Sequence, residues 1–123
     1  MVTIGEPPFL ECSSKGAKHF SAFHARVNGK SIEEQYQAAK VFEDGSTNLH
    51  WRDAKGKRPV NADEVASLYL NLWRQYIHEN PHLIPELVNA TGLSDIFGQK
   101  GHQCQAVSLW QIRSEILYGL DYA

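Results

Sequence analysis

The feature that most constrains the fold is a periodic apolar pattern between Asn61 and Asn80. Its apolar side chains recur at helical spacing: Val65, Leu68, Tyr69, Leu72, Trp73, Tyr76 and Ile77. A helix with this pattern has to bury one whole side against other elements. We expect it to begin near Asn61 or Asp63. Pro81 disfavours helical geometry in the residue before it, so the helix should end near Asn80.

A second helix is predicted over SIEEQYQAAKVF, residues 31–42. Ser31 and Glu34 have the spacing of a capping box, in which each side chain satisfies the backbone N–H of the other residue. The inward stripe of this helix is expected to contain Ile32, Tyr36 and Ala39. A polar stripe at the same spacing lies beside it and contains Glu33, Gln37 and Lys40. The turn pair Asp44-Gly45 should end the segment.

The remaining elements are shorter. Phe23, Ala25 and Val27 alternate with polar residues, which predicts a half-buried strand followed by a turn at Asn28-Gly29. A short helix is expected over residues 82–90, with Gly92 just beyond its end. Residues 93–103 read as a loop. The last helix should run from Gln105 to Leu117, and three of its residues are expected to face the core: Leu109, Ile112 and Ile116.

These elements predict a mostly helical α+β fold with a small sheet or hairpin near the N-terminus. A length of 123 residues and an apolar fraction of 42% fit one domain over residues 1–123 with its own core. The net charge of −2 argues against a general nucleic-acid coat of basic residues. No apolar run reaches the ~20 residues of a membrane span. No export signal is evident, so we expect free cysteines and a cytoplasmic location, without membrane association.

One string imitates a metal site. His78-Glu79-Asn80-Pro81-His82 matches the H-E-x-x-H pattern of zinc proteases, which needs both histidines on one helical face. Pro81 interrupts that helix, so the two rings should not share a face. The other histidines lack ligand spacing with the cysteines, and we predict neither a metal nor a cofactor.

Two other segments have the chemistry of a binding site. The basic segment Arg52–Arg58 contains Lys55, Gly56 and Lys57 and could hold a phosphate, although a solvated loop would look the same. Gly98-Gln99-Lys100-Gly101 precedes the last helix and could present backbone N–H groups to an anion. Trp51 lies in the polar irregular segment, which makes it the best of the three tryptophans for stacking on a ring.

Glu33 is the carboxylate without a structural task. A second acidic residue in the first helical turn favours the helix dipole, which is one explanation. The other is that the stripe of Glu33, Gln37 and Lys40 lines a cleft. A partly desolvated carboxylate there would be suited to general acid–base chemistry.

Several short motifs follow one another along the chain: Phe20-Ser21-x-Phe23, Asn28-Gly29-Lys30, Glu33-x-x-x-Gln37-Ala38-x-Lys40, Ala54-Lys55-Gly56-Lys57, Val65–Leu83, Asp95-Ile96-Phe97-Gly98 and Leu109-Trp110-Gln111-Ile112-Arg113. Their order resembles the NADAR superfamily, the NAD- and ADP-ribose-associated N-glycosidases of swarming-motility and riboflavin-pathway type. The chain departs from the family pattern at Ala22, Glu34, Lys57, Phe97 and Gln103. The resemblance therefore indicates a divergent member.

The resemblance implies hydrolysis of an N-glycosidic bond between ribose and a base or amine. Glu33 would be catalytic, and Asp95 would orient ribose or water. The implied ligand-binding residues are Ser21, Gln37, Lys40, Trp51, Lys55, Lys57, Phe97 and Gln103. The ligand would be a nucleotide or ADP-ribose-type compound, with ADP-ribosylated guanine in nucleic acid among the candidates.

Two alternatives stay open at the level of sequence. One is a module that binds ADP-ribose or a related nucleotide without turnover. The other is a helical interaction protein in which the motif matches are coincidental. The sequence does not distinguish oligomeric states.

Overall fold

The elements along the chain form two small sheets and helices that pack against them. In the computed structural model, which describes residues 1–99 and 103–119, the strands are β1 (Val2–Gly5), β2 (Phe9–Glu11), β3 (Arg26–Val27), β4 (Lys30–Ser31) and β5 (Gly92–Asp95). The helices are α1 (Ile32–Ala38), α2 (Trp51–Ala54), α3 (Ala62–Glu79), α4 (Ile84–Asn89) and α5 (Gln105–Tyr118). Short 3-10 turns cover Lys18–Phe20 and Pro81–Leu83. The predicted fold class, mostly helical α+β with a small sheet containing an N-terminal strand, is confirmed.

The central strand of the main sheet is β5. It pairs antiparallel with β1 and parallel with β2, and its four residues are all buried. The prediction of a loop over residues 93–103 was therefore wrong for residues 93–95. Gly92 was also misplaced, because it begins the strand instead of capping α4. A Cβ on Gly92 would lie 2.4 Å from the Glu6 carbonyl oxygen, so close strand packing requires glycine there.

A second, two-stranded sheet is a hairpin of β3 and β4. Asn28 and Gly29 form its turn with φ angles of 55° and 82°, as a type I′ turn requires. The turn was predicted correctly, but the strand before it is shorter than expected. Only Arg26 and Val27 are extended and paired, because Ala25 N–H turns back to bond the Ser21 carbonyl. Phe23 thus lies in a turn.

The long helix α3 has the predicted bounds. It begins at Ala62 and ends at Glu79, it packs against α1 and α5, and its Trp73 side chain is fully buried in the core. The 3-10 turn at Pro81–Leu83 then changes the chain direction. His78 and His82 consequently belong to different elements, as the proline predicted.

Helix α1 ends at Ala38, earlier than the predicted end at Asp44-Gly45. Long-range hydrogen bonds replace the helical ones there. The Ala38 carbonyl accepts from Asn48 N–H at 3.0 Å, and the Asn61 side chain bonds both the Ala39 carbonyl and the Val41 N–H. The residue pattern within the helix does not predict hydrogen bonds to residues as distant in the chain as Asn48 and Asn61.

Helix α5 packs against β1, β5, α3 and α4. Leu109 and Ile112 are buried as expected, but Ile116 is 40% exposed and was wrongly placed in the core. It lies in the last turns of the helix and lines a surface groove that also contains Ile77 and Ile84. Among the described residues, no helix is both long and apolar enough to cross a membrane.

Candidate functional site

Helix α1 positions two residues of the polar stripe predicted from the sequence, Glu33 and Gln37, and Lys40 follows just beyond its end. The Ser31 hydroxyl accepts from the Glu34 N–H at 3.1 Å, and the Glu34 carboxylate accepts from the Ser31 N–H at 2.6 Å. The predicted capping box is therefore present, and Glu34 is occupied by it. Ile32 is fully buried and anchors this end of the helix to the core. One step round the helix, Glu33 faces a cleft.

The cleft has a volume of about 430 Å³ and lies between α1, the start of the segment after α2, and the residues that follow β5. Seven of the ten site residues predicted from the sequence line it: Glu33, Gln37, Lys40, Lys55, Asp95, Phe97 and Gln103. Distant parts of the chain meet here. The two predicted catalytic carboxylates, Glu33 and Asp95, share the same cavity.

Glu33 and Gln37 are joined across one helical turn. Gln37 Nε2 donates to Glu33 Oε1 at 2.7 Å, which holds the half-buried carboxylate at the cleft wall. The other Gln37 amide atom, Oε1, is buried and has no hydrogen-bond partner within residues 1–99 and 103–119. The Glu33 charge reaches neighbouring groups as well. Burial raises the pKa of Tyr36, and the Glu33 carboxylate raises it further.

Asp95 ends the central strand β5 and is only 3% exposed. Its Oδ2 accepts from Gln105 Nε2 at 3.0 Å and from Cys104 Sγ at 3.5 Å. Its Oδ1 accepts from the Phe97 N–H at 3.0 Å. Gln105 in turn accepts from the Ala22 N–H at 2.8 Å. Asp95 therefore ties three segments of the cleft wall together.

Lys40 is a buried cation just beyond the end of α1. Its side chain is 4% exposed, and Nζ donates to the carbonyl oxygens of Ala54 and Lys57 at 3.3 and 3.1 Å. Burial lowers the pKa of Lys40, and the Glu33 carboxylate opposes this shift. An ammonium group has three N–H donors, so these two bonds leave one, and Nζ also lies 5.2 Å from the centroid of the Tyr36 ring. Lys40 also fixes the basic segment against α1.

Lys57 lies in an adjoining cavity of about 160 Å³, together with Arg58. The two cavities share four residues of their walls: Tyr36, Lys40, Gly56 and Gln103. The basic segment thus faces two connected spaces. Lys55 borders the larger one, while Lys57 and Arg58 border the smaller one.

The aromatic side chain on the cleft wall near the basic segment is Phe23. It is 36% exposed, and Lys55 Nζ lies 4.9 Å from the centroid of its ring. Trp51 does not line the cleft. Its ring contacts Phe23 edge to face at 5.3 Å between centroids, and Arg52 lies over it at 5.1 Å. The structure places Trp51 against the ring that faces the cavity.

Ser21 is the remaining predicted site residue, and it is fully buried. Its hydroxyl accepts from the Phe23 N–H at 3.4 Å, and its carbonyl accepts from the Ala25 N–H at 2.8 Å. It does not line the cleft. Ser21 shapes the turn that carries Phe23 to the cleft wall.

Four residues of the cleft wall were missed by the sequence analysis as site residues: Phe23, Tyr36, Tyr69 and Gln105. Gly56, Gly98 and Gln99 also line the cleft, and they belong to the two segments in which the sequence predicted a binding site. Tyr36 follows Glu33 by three positions and so shares its helix face, which was a usable signal. Phe23 was missed because its alternation with polar residues predicted a strand and not a turn at the cleft. Gln105 carried no local signal, because only its bonds to Asp95 and Ala22 bring it to the site. Lys100 and Gly101 of the predicted glycine-containing loop lie outside the described residues.

Within the described part of the chain, no three His, Cys, Asp or Glu side chains lie close enough to hold a metal ion. Both cysteines are buried, and burial raises the pKa of Cys104. The chemical groups that the cleft does offer are two carboxylates, amides, lysines and aromatic rings. No protein-family model matches the chain, and a comparison with curated proteins found no match.

Proposed function

We propose that the cleft is the active site of an N-glycosidase that acts on a ribosyl phosphate compound, with an ADP-ribosylated base as the leading candidate. The observation that carries the proposal is the position of Glu33. Its carboxylate is on the wall of a cavity that also contains a buried lysine and aromatic rings. These groups match the reacting carbon, the phosphate and the base of such a ligand. The motif resemblance to the NADAR superfamily agrees with this assignment.

The reaction needs one group that accepts a proton and later donates it. Water attacks the anomeric carbon of ribose, the bond from that carbon to the leaving nitrogen breaks, and its electron pair stays on the nitrogen. Glu33 takes the proton from the attacking water and returns it to the leaving nitrogen. The bond from Gln37 Nε2 at 2.7 Å keeps the carboxylate in place during this exchange.

In this proposal Asp95 is a positioning residue. Both of its oxygens already accept hydrogen bonds, from Gln105 and Cys104 on one side and from Phe97 on the other. Those bonds fix the cleft wall opposite α1. Lys40 and Lys55 supply positive charge for phosphate inside the cleft, and Lys57 supplies it from the adjoining cavity.

Because both oxygens of Asp95 already accept hydrogen bonds, a second candidate function is also favoured. Glycoside hydrolysis commonly uses a pair of carboxylates. Here Glu33 is the cleft carboxylate with the fewer hydrogen bonds, and Asp95 is committed to the wall. A module that binds ADP-ribose without turnover would have such a site. The shared cavity of Glu33 and Asp95 supports both of these functions over a helical interaction protein.

A release assay tests the proposal. The purified protein is incubated with ADP-ribosylated guanine DNA, ADP-ribose, NAD and a phosphoribosylaminopyrimidine, and the freed base or amine is followed by chromatography. We expect release from at least one of them. Glu33→Gln should reduce the rate by about 10²- to 10⁴-fold, since it removes the acid–base group.

Glu34→Gln is the matched control, because it changes the adjacent carboxylate and Gln still serves in a capping box. Its rate should stay close to that of the wild-type protein. Binding without release in the wild-type protein would select the binding module. Equal rates in all three proteins would remove Glu33 from the chemistry.

A further inference from the structure

The side-chain amide of Gln37 makes a hydrogen bond through its nitrogen but none through its oxygen. The residue is 3% exposed and its Nε2 donates to Glu33, yet Oε1 has no hydrogen-bond partner in the described part of the chain. More than about 90% of buried polar groups are hydrogen-bonded, so an unpaired acceptor at a cleft calls for an explanation.

The orientation of this amide follows from its neighbour. The Glu33 carboxylate accepts hydrogen bonds when it is ionised and has none to donate. Turning the amide round would direct its oxygen toward Glu33 Oε1, which lies 2.7 Å from the present nitrogen. Two acceptors would then repel each other. The unpaired atom is therefore the carbonyl oxygen, and the missing partner is a donor.

The position of the two acceptors narrows the kind of donor. Gln37 Oε1 and the Glu33 carboxylate lie one turn apart on the same face of α1, a spacing that suits the adjacent hydroxyls of a ribose ring. The charges on the cavity wall balance, because Lys40 and Lys55 line it together with the Glu33 and Asp95 carboxylates. A neutral hydroxyl therefore fits the site without adding a charge.

We propose that Gln37 Oε1 accepts a hydrogen bond from a ribose hydroxyl of the ligand and thereby makes the cleft selective for ribosyl over deoxyribosyl compounds. This assignment rests on the proposed function, because it takes the ligand to be a ribosyl phosphate. The oxygen has almost no exposed surface. The hydroxyl therefore reaches it with a small rotation of the Gln37 amide or of the half-buried Glu33 carboxylate.

The test compares ribose 5-phosphate with its 2-deoxy and 3-deoxy analogues by titration calorimetry. A ligand that lacks the donor leaves the buried acceptor unpaired. The wild-type protein should bind at least one deoxy analogue about 10- to 100-fold more weakly than ribose 5-phosphate. Gln37→Met has a similar length and no acceptor, so its affinities for the three sugars should agree within about threefold.

Gln75→Met is the matched control, since Gln75 is exposed on α3 and does not line the cleft. It should keep the wild-type preference. An unchanged preference in Gln37→Met would overturn the inference, and so would equal or absent binding of all three sugars by the wild-type protein. The wild-type comparison needs no variant, so equal or absent binding of the three sugars would overturn the inference even if Gln37→Met does not fold.

The results of the release assay and of this titration distinguish the proposed function from the further inference. A preference for ribose 5-phosphate that depends on Gln37, without release of any base, supports the inference and rejects the enzymatic function. Release of a base without such a preference supports the enzyme and rejects the inference.

Discussion

At the scale of single residues, the chain separates the tasks of neighbouring side chains by their direction on a helix. Glu34 bonds the Ser31 N–H and completes the capping box, whereas Glu33 projects about 100° away and faces the cleft. Phe23 and Trp51 show the same division. The two rings touch, but Phe23 alone of the pair lines the cavity.

This division predicts which ring contacts a base. Stacking on an aromatic side chain contributes roughly 1–3 kcal/mol per base. Phe23→Ala should therefore weaken ADP-ribose binding by about 10- to 100-fold, measured by titration calorimetry. Trp51→Ala should have a smaller effect on affinity, because that ring acts through Phe23. A larger loss of affinity in Trp51→Ala than in Phe23→Ala would mean that Trp51, and not Phe23, stacks on the base.

At the scale of elements, α1 is the helix on which the site depends. It has only seven residues, and so short a helix is not stable by itself in water. The capping box and the buried Ile32 hold its first turn, and Lys40 fixes the chain after its end by bonding the Ala54 and Lys57 carbonyls. The position of Glu33 is thus determined at both ends of the helix.

Removal of the cap should be measurable as a loss of stability. Ser31→Ala leaves the Glu34 N–H without its side-chain acceptor, and we expect the free energy of unfolding to fall by about 1 kcal/mol. Urea denaturation of the two proteins measures the difference. Ser31→Thr is the control, since it keeps a hydroxyl acceptor and should lose less. No difference between Ser31→Ala and the wild-type protein would mean that packing alone holds α1.

The basic segment makes a second prediction at this scale. Lys57→Ala should weaken binding of ADP-ribose far more than binding of adenosine, because Lys57 lines the cavity that adjoins the main cleft. Lys57→Arg should keep or improve the phosphate preference, since guanidinium binds phosphate through two parallel bonds. The effect should weaken as salt is added. Lys30→Ala, a change of an exposed lysine on β4, is the control.

An unchanged phosphate preference in Lys57→Ala would identify residues 55–58, which follow α2, as a solvated loop. The connection of the two cavities through Lys40 and Gly56 would then have no bearing on ligand choice.

At the scale of the whole molecule, Glu11 joins distant parts of the chain. Its carboxylate accepts from Ser94 Oγ at 2.9 Å, from the Ile96 N–H at 3.1 Å and from the Ser13 N–H at 3.0 Å. Burial alone would raise the pKa of Glu11, but the hydrogen bonds outweigh it and the pKa lies below its ordinary value of 4.5. Glu11 thereby secures β5, and with it Asp95, to β2.

This shift predicts how stability depends on pH. A carboxylate whose pKa is lower in the folded protein stabilises the fold fully above its unfolded pKa of about 4.5, and loses this contribution as the pH falls through the folded value. Glu11→Gln should be less stable than the wild-type protein at pH 7. The gap should narrow as the pH drops below about 4.5, in thermal unfolding followed by circular dichroism.

Glu6→Gln is a suitable control, because Glu6 is an exposed carboxylate in the same N-terminal region. A stability gap between Glu11→Gln and the wild-type protein that stays constant from pH 7 to pH 3 would show that the charge of Glu11 contributes nothing.

What the sequence by itself determined is local. The apolar period and Pro81 set the bounds of α3, the pair Asn28-Gly29 set the hairpin turn, and the spacing of Ser31 and Glu34 set the cap of α1. Each of these features depends on groups within one or two turns of the chain. The spacing of Glu33 and Gln37 likewise placed them on one face of α1, whereas Lys40 lies beyond the end of the helix.

Only the tertiary structure decided the rest of the site. The sequence around residues 93–95 reads as a loop, and it became the central strand because β1 and β2 pair with it from positions more than 80 residues away. Phe23 and Gln105 reached the cleft through bonds to Ser21, Asp95 and Ala22. Such contacts form between segments that have no periodic relation in sequence, so residue spacing contains no record of them.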